Sequence, residues 1–157
     1  MTAERSVSGW DDYPVHQTSE FIRHVATSDR NFYDRYYFNL HPSSDEYFAI
    51  FGIGQYPNLG TTDAFLAVTK DGTQRIMRTS KPLEDRMDIS VGPMRVEIIE
   101  PLEKLRVIVE PNDADIAMDV TWTASIPAFE EPRQYLRSRG TVVFDTQRFA
   151  QMGRWEG

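Results

Sequence analysis

From Met94 to Ala124 apolar and polar side chains trade places at nearly every residue, in three successive runs. Met94, Val96 and Ile98 alternate with Arg95, Glu97 and Ile99. Leu105, Val107 and Val109 alternate with Arg106, Ile108 and Glu110. Ile116, Met118, Val120, Trp122 and Ala124 alternate with Asp115, Ala117, Asp119, Thr121 and Thr123. A period of two gives each strand one buried and one wetter face, the pattern of an antiparallel sheet over a single core. The connections, Glu100–Lys104 and Pro111–Asp113, are short and rich in turn formers.

Upstream the chain predicts further strands. Asp34 to His41 is dense in aromatics and reads as a first strand, closed by the turn Pro42-Ser43-Ser44-Asp45. Tyr47–Tyr56 carries large side chains on both parities, so it is expected to be central and covered on both sides. Gly52 and Gly54 share one parity there, which marks a bulge, coiling or the close approach of another group. Pro57–Gly60 is a loop; Asp63–Thr69 and Thr73–Ser80 are strands joined by a Lys70-Asp71-Gly72 hairpin turn. A further strand before Met94 is broken by Gly92-Pro93.

Both ends depart from this rhythm. Residues 1–14 read as an arm, and Thr18 opens a short amphipathic helix with capping residues ahead of Phe21, Ile22 and Val25. Ile126–Ser138, with two prolines and no periodicity, is expected to be a loop or lid. Thr141–Phe144 is apolar again, and Phe149 to Trp155 reads as a closing strand. The organisation is therefore an N-terminal arm and helix over 1–30 and a β domain over 31–157. The predicted fold is all-β, an antiparallel meander barrel with a short N-terminal helix.

Composition excludes several function classes. A net charge of −7 disfavours nucleic acid, and the scattered Lys and Arg form no basic membrane patch. The absence of cysteine removes disulfides and thiolate metal sites and suits a reducing cytoplasm. No apolar run approaches the roughly 18–20 residues of a membrane span, and the N-terminus lacks a signal-peptide core. The expectation is a soluble, cytoplasmic protein with no membrane span and no nucleic-acid partner.

Chemical motifs are sparse. His16 and His24 are not at helical metal-pair spacing, and His41, at a strand end, either lies in a turn or points into a barrel mouth. The acid pairs Glu84/Asp85, Asp113/Asp115 and Glu130/Glu131 sit in turns, where carboxylates are normally solvated. Asp63, entering a strand, is the best placed acid; alternation puts Glu97 and Asp119 outside. Gly52-Ile53-Gly54 lacks the third glycine and following helix of a dinucleotide loop. No catalytic residue, metal ligand or cofactor is implied. Tyr36, Phe38, Tyr47, Phe51, Trp122 and Trp155 are the candidate ligand-binding residues, because closed barrels lined by aromatics hold small apolar ligands. The competing reading is that these rings fill the core.

Three segments carry a resemblance: Tyr33–Asn39, Phe51–Pro57 and Gly153–Gly157. They resemble actinobacterial proteins of unknown function that are distantly similar to hydroxyneurosporene synthase (carotenoid 1,2-hydratase), a group with two lipocalin-like barrels in tandem. The resemblance spans most of residues 30–157. It implies a lipocalin-like (calycin) barrel and a chain that is the first half of a two-barrel protein, Gly153–Gly157 resembling the passage into the second barrel. The hydratase's acids lie around that junction and the second barrel. No position here matches them, so none is carried over.

Three functions follow as expectations. The first is binding of a hydrophobic small molecule of terpenoid, steroid or acyl type. The second is membership of an isoprenoid hydratase or isomerase whose catalytic residues lie in the missing second barrel. The third is a structural domain that packs against that second barrel and exposes a large apolar patch near its C-terminal strand.

Overall fold

The computed structural model describes residues 25–157; the expected N-terminal arm and the helix opening at Thr18 lie outside the described residues. The described chain is nearly all β, and its strands pair antiparallel. One 3₁₀ turn, Pro57–Leu59, interrupts them. No helix among the described residues is long and apolar enough to cross a membrane. Two compact units emerge: the chain up to Arg95 with Val109–Ala117, and Val96–Ile108 with Met118–Gly157.

The first unit is built on β1 (Asp34–Arg35), β2 (Phe38–Leu40), β3 (Tyr47–Tyr56), β4 (Thr61–Lys70) and β5 (Thr73–Pro82). They form a sheet in the order β1-β3-β4-β5, with β2 also on β3. β3 pairs β4 without a slip from Tyr47↔Lys70 to Tyr56↔Thr61, and β4 pairs β5 as regularly. On one face Ala49, Phe51 and Ile53 meet Ala64 and Leu66, all buried. Asp71 and Gly72, both at positive φ (50° and 72°), make the two-residue turn that Asp-Gly predicts. The expected first strand is two short ones in a single register on β3, Arg35↔Gly54 and Phe38↔Phe51. Between them the Tyr36 carbonyl drops onto Gly52, where an added Cβ would stand 2.1 Å from that oxygen. The glycine parity thus records a close approach, as expected. The unit closes with β6 (Ser90–Val91) turning at Gly92-Pro93 into the start of β7 (Met94–Glu100).

The second unit holds the rest of β7, most of β8 (Lys104–Val109), and β9 (Met118–Ala124). The sheet order runs β7-β8-β9 and on to β14 (Gly153–Glu156), so the meander read from alternation is present. Two details depart from strict alternation. Ile98, expected inside, is 46 % exposed, and Ile108, expected outside, is buried with Val107 and Val109. Period two holds only where one face is covered: β7 emerges from cover at its end, while β8 is covered on both faces at its own.

The stretch Ile126–Ser138 is not a loop. It contains β10 (Phe129–Glu130) and β11 (Gln134–Ser138), which return through β12 (Thr141–Thr146) and β13 (Phe149–Ala150). The pairs nest: Ala124 opposite Gly153, Phe129 opposite Ala150, Gln134 opposite Thr146, Ser138 opposite Thr141. A two-stranded arm thus grows from the β9–β14 edge and turns at Arg139-Gly140, both at positive φ. The expected closing strand over Phe149 to Trp155 is accordingly divided between β13 in the arm and β14 in the sheet. Alternation could not reveal the arm, because both its faces are wet and neither selects apolar residues.

The Gly52 contact gives a direct test. Gly52→Ala is expected to lower stability by about 1–3 kcal/mol through overpacking. The readout is a lower urea midpoint at constant m-value; an unchanged midpoint would place the Tyr36 carbonyl elsewhere.

Candidate functional site

The six aromatics singled out from the sequence fall into three places. Tyr36, Phe38 and Phe51 form one group in the first unit: Phe38 lies across the ladder from Phe51 at 5.3 Å between ring centres, and Tyr36 stacks on Phe38 at 5.6 Å. Phe51 is fully buried, whereas Tyr36 and Phe38 are half-buried at the side of the sheet. Burial, with a smaller contribution from Asp34, raises the Tyr36 phenol above its ordinary pKa.

The opposite face of the same strands carries charge. Arg35, Gly54 and Asp63 stand in line across β1, β3 and β4. With no Cβ at Gly54, the Arg35 side chain crosses to Asp63 at 3.1 Å and reaches the Tyr56 hydroxyl, which itself lies 3.3 Å from Asp63. The rings of Tyr33, Tyr56 and Phe65 surround the guanidinium at 5.6–5.9 Å. Asp63, the best placed acid in the sequence, is therefore held between a guanidinium and a phenol. Sequence reading missed this cluster; the signal was the register, which brings Arg35 opposite a glycine.

Tyr47 lies apart, at the far end of β3. With His41, Asp45, Phe48, Lys70 and Asp71 it lines a cleft of about 270 Å³ beside the β4–β5 turn. His41 is exposed there, its Nδ1 2.8 Å from the Pro42 carbonyl and its ring 6.4 Å from that of Phe48.

Trp122 and Trp155 belong to the second unit, directly opposite each other on β9 and β14; Trp122 is buried and Trp155 half-buried. On the wetter face of that sheet Arg106 forks onto Asp119 with bonds of 2.7 and 2.6 Å and has Glu97 at 3.7 Å. Glu97 and Asp119 are thus exposed partners of an arginine, on the side that alternation assigned to solvent. No group of residues suited to hold a metal ion occurs among the described residues.

The arm is the most unusual surface. Phe129, Tyr135, Leu136, Val142, Val143, Phe144, Phe149 and Met152 are all exposed, between 43 % and 64 %. From Pro132 to Met152 the chain has four arginines and neither lysine nor glutamate. Arg133 forks onto Asp145 at 2.6 Å across the ribbon, and Arg148 pairs Glu131 at 3.1 Å. Arg137 and Arg139 stand at the tip; Arg137 donates to the Gly140 carbonyl at 3.0 Å.

Set against known proteins, the profile of a family of unknown function (DUF8625) matches residues 7–157. No curated protein and no solved structure matches the chain.

The Tyr36 environment has a pH signature. A phenol whose folded pKa exceeds its unfolded value contributes constant stability below the ordinary tyrosine range, and the contribution falls as pH rises through the raised value. In an absorbance titration Tyr36→Phe is expected to remove a phenolate step lying above that range. A wild-type titration with every phenol in the ordinary range would contradict the burial of Tyr36.

Proposed function

The chain belongs to the family of unknown function DUF8625, and we propose that it is an interaction domain whose apolar arm packs against a second β-barrel domain. One observation carries this reading: large apolar side chains crowd both strands of an arm that nothing in the second unit covers. A two-stranded ribbon alone is marginal in water, and contiguous exposed apolar patches mark association surfaces. The side-chain mixture agrees, since contact surfaces favour aromatics, Met and Arg and disfavour Lys and Glu. The two-barrel proteins that the sequence resembles supply the partner's class, a domain of the same β type.

A second reading keeps the hydrophobic small molecule of terpenoid, steroid or acyl type. Its support is the Tyr36–Phe38–Phe51 group, whose outer two rings are only half-buried. Titration with a fluorescent fatty acid is expected to give saturable uptake that Phe38→Ala weakens about tenfold, the loss of one ring contact. Absence of saturable uptake would eliminate it. The hydratase or isomerase reading finds no support in Asp63, Glu97 or Asp119, each of which faces an arginine.

The docking reading is tested on the arm itself. Tyr135→Ser with Phe144→Ser is expected to lower bis-ANS fluorescence about twofold while leaving the free energy of urea unfolding within about 0.5 kcal/mol, as for surface sites. A loss of several kcal/mol would mean that these rings hold the fold together, and the docking reading would fall.

A further inference from the structure

This inference rests on the docking reading and concerns what the arm's tip recognises. From Arg133 to Arg148 the chain carries four arginines against the single carboxylate of Asp145, a balance of +3 in a chain of −7. All other residues together therefore carry −10. The arm is a basic projection on an acidic protein, and its tip arginines, Arg137 and Arg139, are in no ion pair among the described residues.

The cleft beside the β4–β5 turn has the complementary chemistry. Asp45 and Asp71 are on its wall, in no ion pair among the described residues, and together they outweigh Lys70. Phe48, 45 % exposed, and Tyr47 supply flat ring surface. A guanidinium is the group that such a place suits: it stacks on aromatic faces and forks onto carboxylates, and it loses less hydration than an ammonium. The cleft's volume, about 270 Å³, accommodates one such side chain and little more.

We propose that the cleft of one copy of this chain receives the arginine tip of the arm of a second copy. Arm and cleft are different surfaces, so reciprocal exchange gives an isologous two-fold pair, whereas unreciprocated exchange is heterologous and extends into a row. Charge sets the polarity, because two arms meeting tip to tip would oppose arginine with arginine.

Sedimentation equilibrium of the full chain tests it with two variants. One replaces the tip, Arg137→Ser with Arg139→Ser; the other replaces the cleft carboxylates, Asp45→Asn with Asp71→Asn. Each alone is expected to associate about tenfold more weakly than the parent, and about 0.5 M salt is expected to weaken the parent likewise. Mixing the two variants restores association, because the second still has an arm and the first still has a cleft. Circular dichroism confirms that both are folded.

A parent that stays monomeric at all concentrations overturns the proposal, as does association that both variants retain. In either case a bis-ANS signal still lowered by Tyr135→Ser with Phe144→Ser leaves the docking reading standing. Binding to phosphatidylserine vesicles that the tip variant abolishes, without self-association, also overturns it and assigns the tip to an anionic lipid surface.

Discussion

The unbroken pairing of Tyr47–Tyr56 with Thr61–Lys70 governs the first unit. Ten consecutive cross-strand pairs leave no freedom over which residue faces which. Phe51 and Leu66 are thereby committed to the core, and Gly52, Gly54 and Asp63 to the other side. Because Asp34–Arg35 and Phe38–Leu40 continue one register on β3, the position of Arg35 over Gly54 follows as well. Thr62 completes the arrangement: fully buried, it donates its hydroxyl to the Gly54 carbonyl at 3.0 Å, so a polar side chain enters the core without an unsatisfied group.

Much of this was legible in the residues, for identifiable reasons. Where one face is covered and the other wet, apolar residues are selected at every second position, and β4 and β9 are accordingly legible, although β4 begins two residues before the expected Asp63 and β9 only at Met118. The Asp71-Gly72 turn was legible because few residues tolerate positive φ in succession. The arm was hidden for the converse reason: Tyr135, Leu136, Val142 and Val143 are exposed whichever way they point, so position along the strand carries no burial signal. Arg139 also turns the chain at φ 50° without the Asn or Asp that usually announces such a hairpin.

The candidate sites divide along the same line. The aromatic residues were identifiable, but their grouping was not, since it depends on which strand lies beside which. Tyr36, Phe38 and Phe51 assemble through the β2–β3 ladder, Trp122 and Trp155 through β9–β14, and Tyr47 joins neither. The carboxylates follow electrostatics that sequence distance conceals: Asp63 finds Arg35 across 28 residues, and Arg106 gathers Glu97 and Asp119 from the strands on either side. Ion pairs on these wetter faces contribute little individually and chiefly fix side-chain direction. Against that background of matched charge, an arm with unmatched arginines and uncovered rings is the surface with the most to gain from a partner.

The nesting of the arm also favours one order of assembly. Ala124 and Gly153 are far apart in sequence, and closing a flexible loop of that length costs about 3 kcal/mol of chain entropy before any contact forms. The bend at Arg139-Gly140 offers a shorter route, since Ser138 and Thr141 are nearly adjacent and each later pair lies only a few residues beyond the last. Zipping from that bend through Gln134↔Thr146 and Phe129↔Ala150 delivers Trp155 to Trp122 in small, low-contact-order steps. By this route the exposed arm of the finished protein is, during folding, the clasp that draws the last strand of the sheet into place.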